Sequence, residues 1–151
     1  MPSDAEVIST LNELIETCRD GQEGFRTAAE GVKSAELREL FQRYARQRAG
    51  FASELQDEVR RLGGEPGQTG SLVASLHRGW MGLRAALEGG NERAILSECG
   101  RGEDVALSTY RAALDRDMPA GVRSMVERQF AEVKEAHHLI GNLERGSGAG
   151  A

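Results

Sequence analysis

The amino-acid sequence predicts an all-α fold, a four-helix bundle with an additional shorter helix in the crossover between the second and third long helices. Three observations lead to this prediction. Apolar residues recur at spacings of three and four along most of the 151 residues, which is the period of an amphipathic helix. Capping and turn residues divide this pattern into four long segments and one shorter segment. The alternation typical of a strand does not occur in the sequence.

The first two helices form the first predicted hairpin. A capping box, Ser3 with Glu6, begins the first helix. Ser34 begins the second, and Gly63-Gly64 forms its C-terminal cap. The apolar stripes that predict the two helices are Val7, Leu11, Leu14, Cys18, Phe25, Ala28 and Val32, and then Leu37, Phe41, Tyr44, Phe51, Leu55, Val59 and Leu62.

The order of the remaining helices decides the topology. A shorter helix is expected from Ser71 to about Glu88, nearly long enough to carry the chain back along the bundle. Asn91 caps the third long helix, and Pro119 suits the first turn of the fourth. The second and third long helices would then run parallel, in the ferritin-like arrangement with one long crossover. A plain up-and-down array of five helices is the alternative.

Length and composition limit the domain organisation and the partners. We expect one bundle domain over residues 1–145 and a flexible Gly/Ala/Ser tail over 146–151. The net charge of −5, without a basic run, argues against nucleic acid and against an anionic membrane surface. Neither a signal peptide nor a membrane span is apparent, so a cytoplasmic protein is expected.

Polar residues interrupt the apolar stripes at similar heights in the predicted bundle. Helix geometry puts most of them about 20 to 27 Å above the turn near Met118. We therefore predict a buried polar layer made of Gln22, Tyr44, Arg48, Glu103 and His137. Gln129 interrupts the stripe of the last helix at a lower level, at about 15 Å.

Two interpretations of this layer remain open. In the first, Arg48 and Glu103 form a buried ion pair that fixes helix register. In the second, Glu103 and His137 bind a metal, iron or manganese. A di-iron centre needs Glu-x-x-His on two helices, and the one such motif, Glu135 to His138, has a poor helical phase. A transition metal and no cofactor at all are both consistent with the sequence, and no catalytic residue is identified.

Two further groups carry alternative interpretations. Cys18 and Cys99 have core phase and are expected to be small buried hydrophobes, with a redox pair or a soft-metal site as the alternative. Trp80 is expected to anchor the crossover helix to the bundle. Alternatively, His77, Arg78 and Trp80 form an exposed surface that binds a partner.

Glycine is unusually abundant, at 19 of 151 residues. Ten glycines lie within the predicted helices, where each costs about 1 kcal/mol relative to alanine. Five of them lie at the height of the polar layer: Gly21, Gly24, Gly50, Gly100 and Gly102. This grouping predicts close backbone approach, or space, around Arg48, Glu103 and His137.

A set of short motifs between Val7 and Leu143 matches a known family. They are Asp20-Gly21, Gly24-Phe25, Gly63-Gly64, His77-Arg78-Gly79-Trp80, Glu98-Cys99, Gly102-Glu103-Asp104, Tyr110, Gln129 and His137. With them the sequence resembles an uncharacterised bacterial family of ferritin-like four-helix-bundle proteins, a domain of unknown function. The family pattern is acidic where Gly100 stands here, which argues against metal ligands on the third long helix. The resemblance implies the bundle and a bacterial cytoplasmic origin, but no substrate.

The function expected from the sequence is that of a ferritin-like bundle that acts through assembly or partner binding, with at most weak metal binding. An enzyme is the less favoured class. A homo-oligomer, taken to be a dimer, is expected. The alternative is a metal-dependent oxidoreductase or metal store that uses Glu103 and His137.

Overall fold

Helices make up the regular structure of the described residues. The computed structural model describes residues 2–67 and 79–149. Within these ranges there is no strand, and the helices are α1 (Asp4–Gly31), α2 (Ala35–Arg61), α3 (Leu83–Gly89), α4 (Glu92–Leu114) and α5 (Ala120–Ala149). The prediction of an all-α bundle of four long helices with a shorter helix in the crossover is confirmed.

The helix starts follow the predicted caps. Ser3, Ser34 and Asn91 each accept a hydrogen bond from a backbone N–H of the following turn. Pro119 lies immediately before α5 rather than inside its first turn, and its carbonyl accepts from the N–H of Arg123. At the other end α5 continues to residue 149, into the segment that was expected to be a flexible tail. The division into a domain 1–145 and a tail 146–151 stays a prediction.

The predicted crossover helix is wrong in its extent. Residues 79–82 are not helical, and α3 begins only at Leu83. Gly79 has a φ of +94°, a left-handed conformation that a right-handed helix cannot include. The part of the predicted helix from Ser71 to Arg78 lies outside the described residues.

The contacts between the helices establish the topology. The carboxylate of Glu92, at the start of α4, accepts from the backbone N–H groups of Lys33 and Ser34, just before α2. The helices α2 and α4 therefore start at the same end and run parallel. At the opposite end, Arg116 after α4 donates to Thr10 of α1. The ferritin-like arrangement with one long crossover is the one observed.

The bundle core has two apolar clusters. One contains Val7, Leu11, Leu14, Phe51, Leu55, Val59, Tyr110, Val122, Val126 and Val133. The other contains Phe25, Phe41, Tyr44, Trp80, Leu83, Ile95, Leu96, Cys99, Ala136 and Ile140. Each long helix contributes to both, so the residues between the two sets lie at the middle of the bundle. None of the helices in the described ranges has an apolar stretch that could cross a membrane.

Candidate functional site

An ion pair between Arg48 of α2 and Glu103 of α4 lies at the middle of the bundle. The guanidinium nitrogens Nη1 and Nη2 donate to the carboxylate oxygens Oε1 and Oε2 over 2.5 and 2.7 Å. The two side chains are 1% and 0% exposed. A bidentate, charge-assisted pair of this kind is among the strongest side-chain contacts in proteins, and it joins the two parallel helices.

The surroundings of Arg48 fit a fixed positive charge. Its Nε donates to Oε1 of Gln47 over 3.2 Å, and its Cζ lies 5.4 Å from the centre of the Phe25 ring. A Cβ at Gly21 of α1 would lie 3.2 Å from Nη1, so the glycine leaves room for the guanidinium. Burial by itself lowers the pKa of Arg48. The charge and hydrogen bonds of the Glu103 carboxylate raise the pKa by more than burial lowers it, so the pKa of Arg48 lies above its ordinary value.

A chain of hydrogen bonds that begins with neutral side chains lies on the α1 and α5 side of this pair. The hydroxyl of Tyr110 donates to Oε1 of Gln129 over 2.7 Å. Because that hydroxyl hydrogen is used, the Cys18 thiol is the donor in its 3.1 Å contact with the Tyr110 oxygen. The amide nitrogen of Gln129 donates to the carbonyl of Phe51 and to Glu54. Thus a buried thiol, phenol and amide satisfy one another within the core.

The structure brings part of the predicted polar layer together. Arg48 and Glu103 meet directly, and Tyr44 is buried near them, at 8% exposed. Gln22 is only partly buried. His137 does not belong to a buried layer, because its side chain is 38% exposed. Its Nε2 lies 2.6 Å from Oδ1 of Asp104 on the bundle surface.

Sequence reasoning missed the buried hydrogen-bond chain. Gln129 interrupts the stripe of the last helix below the predicted layer, and neither Cys18 nor Tyr110 has a hydrogen-bond partner predicted from the sequence. One signal was available, since a glutamine on the core face of a helix requires a hydrogen-bond partner. Nothing in the sequence identifies that partner as Tyr110.

The residues at the middle of the bundle do not fit a di-metal centre. Such a centre uses several carboxylates and two histidines that project inward. Among the described residues the buried carboxylates are Asp20 and Glu103, and no group of three or more His, Cys, Asp or Glu side chains could hold a metal ion. Both oxygens of Glu103 bind Arg48, whereas His137 binds Asp104. The two predicted metal ligands therefore have separate partners.

The two cysteines are buried free thiols. Burial raises the pKa of Cys18 to about 11 from its ordinary value of 9.0. Burial, followed by the charge of Glu103, raises the pKa of Cys99 well above its ordinary value. Since the thiolate is the nucleophile, neither cysteine is activated for redox or covalent chemistry in the folded chain.

We expect both thiols to be inert to Ellman's reagent at pH 8 in the folded protein and to react fully in guanidinium chloride. For Cys18, a pKa of about 11 in place of 9.0 lowers the thiolate fraction at pH 8 by about 100-fold, and burial blocks access as well. Stability should fall as pH rises from about 9 towards 11, because the unfolded chain releases these protons first. Rapid reaction of one thiol in folded Cys99→Ala protein would show that Cys18 is accessible.

Trp80 is an anchor and not part of an exposed partner surface. Its side chain is 5% exposed, and its ring lies against Gly24 of α1 and Gly102 of α4, where any Cβ would overlap it. The predicted exposed surface of His77, Arg78 and Trp80 is thus corrected for Trp80. His77 and Arg78 lie outside the described residues.

A side chain, rather than a neighbouring backbone, lies against three of the five glycines at the height of the predicted layer. Gly21 makes room for Arg48, and Gly24 and Gly102 make room for the Trp80 ring. A Cβ at Gly100 would reach no atom closer than an oxygen of Glu144 at 3.9 Å, and one at Gly50 would meet nothing within 4 Å. Three glycines are therefore explained by contact, and two are not.

Comparisons with known proteins agree with this fold. The model of a family described as Domain of unknown function (DUF2383) matches residues 6–116. A solved structure of a mutant of Mycobacterium smegmatis Dps1 has a TM-score of 0.78 with 13% sequence identity, over 93% of this chain and 96% of that chain. At this identity the likeness concerns the fold alone. No curated protein matches the chain.

Proposed function

The chain belongs to the family Domain of unknown function (DUF2383), and from this premise we propose that it is a non-catalytic ferritin-like bundle that acts by assembling with copies of itself. The Arg48–Glu103 pair carries the non-catalytic part of the proposal. It fills the middle of the bundle with a compensated ion pair, where a di-metal centre would require uncompensated carboxylates and histidines.

The charge of Arg48 supports this interpretation further. A guanidinium stays protonated at all ordinary pH values, so a metal cation beside it would be repelled at short range in a medium of low dielectric. Glu103 would have to release Arg48 to bind a metal, and that would leave a buried cation without a partner. We infer that the pair fixes the register of the parallel helices α2 and α4.

The alternative function, a metal-dependent oxidoreductase or metal store with Glu103 and His137 as ligands, has weaker support. It requires the Arg48 pair and the Asp104 contact to break together. It would gain support from an iron or manganese ion that depends on both residues.

Metal analysis separates the two functions. We expect protein purified without added metal to contain iron and manganese far below one ion per chain, and to bind neither at high micromolar concentration. His137→Ala, at a partly exposed position, should fold and behave identically. Near-stoichiometric iron or manganese that is lost in His137→Ala and in Glu103→Gln would overturn the proposal.

Self-association is the second part of the proposal, and the connection before α3 supports it. Met81, next to the anchored Trp80, is 69% exposed and is the more exposed of the two large apolar side chains, Met81 and Leu139, that reach the surface in the described ranges. We expect light scattering coupled to gel filtration to give a mass of at least two chains. Met81→Ser should weaken this association, whereas Leu139→Ser, at an exposed apolar residue of α5, should not. A wild-type protein that stays monomeric at high micromolar concentration would contradict the proposal.

A further inference from the structure

A groove of about 890 Å³ opens on the face of the bundle where α2, α4 and α5 meet. We call it the α2–α5 groove. It is lined by Arg43, Tyr44 and Gln47 of α2, by Leu107 and Arg111 of α4, and by α5 between residues 131 and 139. Trp80 packs against α1 and α4, so the groove lies on another side of the bundle. Its volume is within the range of roughly 300–1,000 Å³ that is typical of small-molecule sites.

One largely buried side chain in the groove has a polar group without a protein partner. Tyr44 is only 8% exposed, and it lines the groove. Its ring packs against Phe25, with 5.3 Å between the ring centres, but its hydroxyl makes no hydrogen bond within the part of the chain that the structure describes. No buried side-chain nitrogen or oxygen of the described residues lacks a hydrogen-bond partner, so this hydroxyl faces the open groove, where a ligand could form a hydrogen bond with it.

The charged groups around the groove favour an anion. Arg43, Arg111 and Lys134 form no ion pair with any described carboxylate. Arg111 and Lys134 lie instead over the Phe130 ring, at 5.8 and 5.2 Å from its centre. The lining also contains two carboxylates, Glu132 and Glu135, against these three cations. Glu132 lies 3.8 Å from Arg128, whereas Glu135 forms no ion pair with a described side chain, so the lining has a small excess of positive charge.

Apolar side chains provide a surface for the body of a ligand. Leu107 and Leu139 line the groove together with Ala131 and Ala136, and Leu139 is 40% exposed. A purely inorganic anion would leave this surface in water, and a purely apolar molecule would leave the excess positive charge of the lining without a counter-ion.

We propose that the α2–α5 groove binds a small organic anion with an apolar body. Arg43, Arg111 and Lys134 hold its acidic group, Leu107 and Leu139 contact its body, and the Tyr44 hydroxyl forms a hydrogen bond with it. This inference does not rest on the self-assembly proposed above, because it concerns a different surface and a different kind of partner.

The test uses 8-anilinonaphthalene-1-sulfonate, an aromatic sulfonate whose fluorescence rises in an apolar site. We expect saturable binding to the folded full chain with about one site per chain. Decanoate should displace the dye, whereas equal concentrations of decanol or inorganic phosphate should not, because each lacks one half of the proposed ligand.

Matched variants locate the site. Lys134→Met, which keeps the length of the side chain, should weaken dye binding about tenfold through the loss of one charge-assisted contact. Tyr44→Phe should weaken it several-fold without loss of stability, because the hydroxyl has no protein partner to lose. Arg93→Met, an exposed position at the start of α4 outside the groove, should leave binding unchanged.

Three results would overturn the proposal: no saturable binding to the folded protein, displacement by decanol as effective as by decanoate, or equal affinities in wild type, Lys134→Met and Tyr44→Phe. Circular dichroism of each variant establishes that the folded state is the one measured, since the dye also binds partly unfolded chains.

Discussion

Replacing Arg48 with methionine is expected to destabilise the protein by about 3–5 kcal/mol. The methionine fills much of the volume of the arginine side chain, but it leaves the Glu103 carboxylate, at 0% exposed, without a partner in the core. Most of the loss therefore comes from the stranded charge and not from a cavity. Chemical denaturation at pH 7 measures the free energy of unfolding of the variant and of the wild type. The m-value should be the same for both proteins, so that the shift of the midpoint reports the change in stability.

A second variant distinguishes a stranded charge from poor packing. The double variant Arg48→Met/Glu103→Leu removes both charges and should recover most of the stability. A double variant as unstable as the single one would show that packing, rather than charge, accounts for the loss.

Replacing Gly102 with alanine is expected to lower the stability by about 1–3 kcal/mol and to shift the Trp80 fluorescence to longer wavelength. The new methyl group would overlap the indole ring, so the ring must leave its site between α1 and α4. Because the chain has a single tryptophan, its emission reports this site directly. The stability lost through this overlap should exceed the stability of about 1 kcal/mol gained because alanine favours a helix more than glycine does.

Gly100→Ala is the matched control, two residues earlier in the same helix. A Cβ there would reach no atom closer than 3.9 Å, so this variant should be unchanged or stabilised by up to about 1 kcal/mol. Its emission should remain that of the wild type. If both alanine variants gave the same emission and stability, the contact between Trp80 and Gly102 would not be a close one.

The predictions from sequence succeeded where the responsible interaction is local. The caps at Ser3, Ser34 and Asn91 depend on hydrogen bonds to residues two or three positions away, so a short segment contains all the necessary information. Within the predicted helix from Ser71 to Glu88, residues 79–82 are not helical, and a distant contact accounts for this departure from local preference. Gly79 and Trp80 leave the helical conformation where the ring enters the space between two other helices.

His137 illustrates why the burial of a residue at the edge of an apolar stripe cannot be predicted from one helix. The buried residues of the middle of α5 are Gln129, Val133, Ala136 and Ile140. His137 has nearly the same phase as Val133 and Ile140, yet it lies on the flank that faces Asp104. The apolar stripe of a helix is about 100° wide. The way α4 packs against α5 decides which edge of the α5 stripe is buried and which is exposed.

The sequence by itself determined that the chain forms an all-α bundle, where its long helices begin, and that Arg48 and Glu103 lie on core faces at similar heights. These properties follow from periodicity and rise per residue, which each helix sets alone. Only the tertiary structure decided which polar groups meet: Arg48 with Glu103, Tyr110 with Gln129 and Cys18, and His137 with Asp104. Hydrogen-bond partners on different helices are fixed by the rotation and offset of one helix against another, and neither quantity is encoded within a single helix.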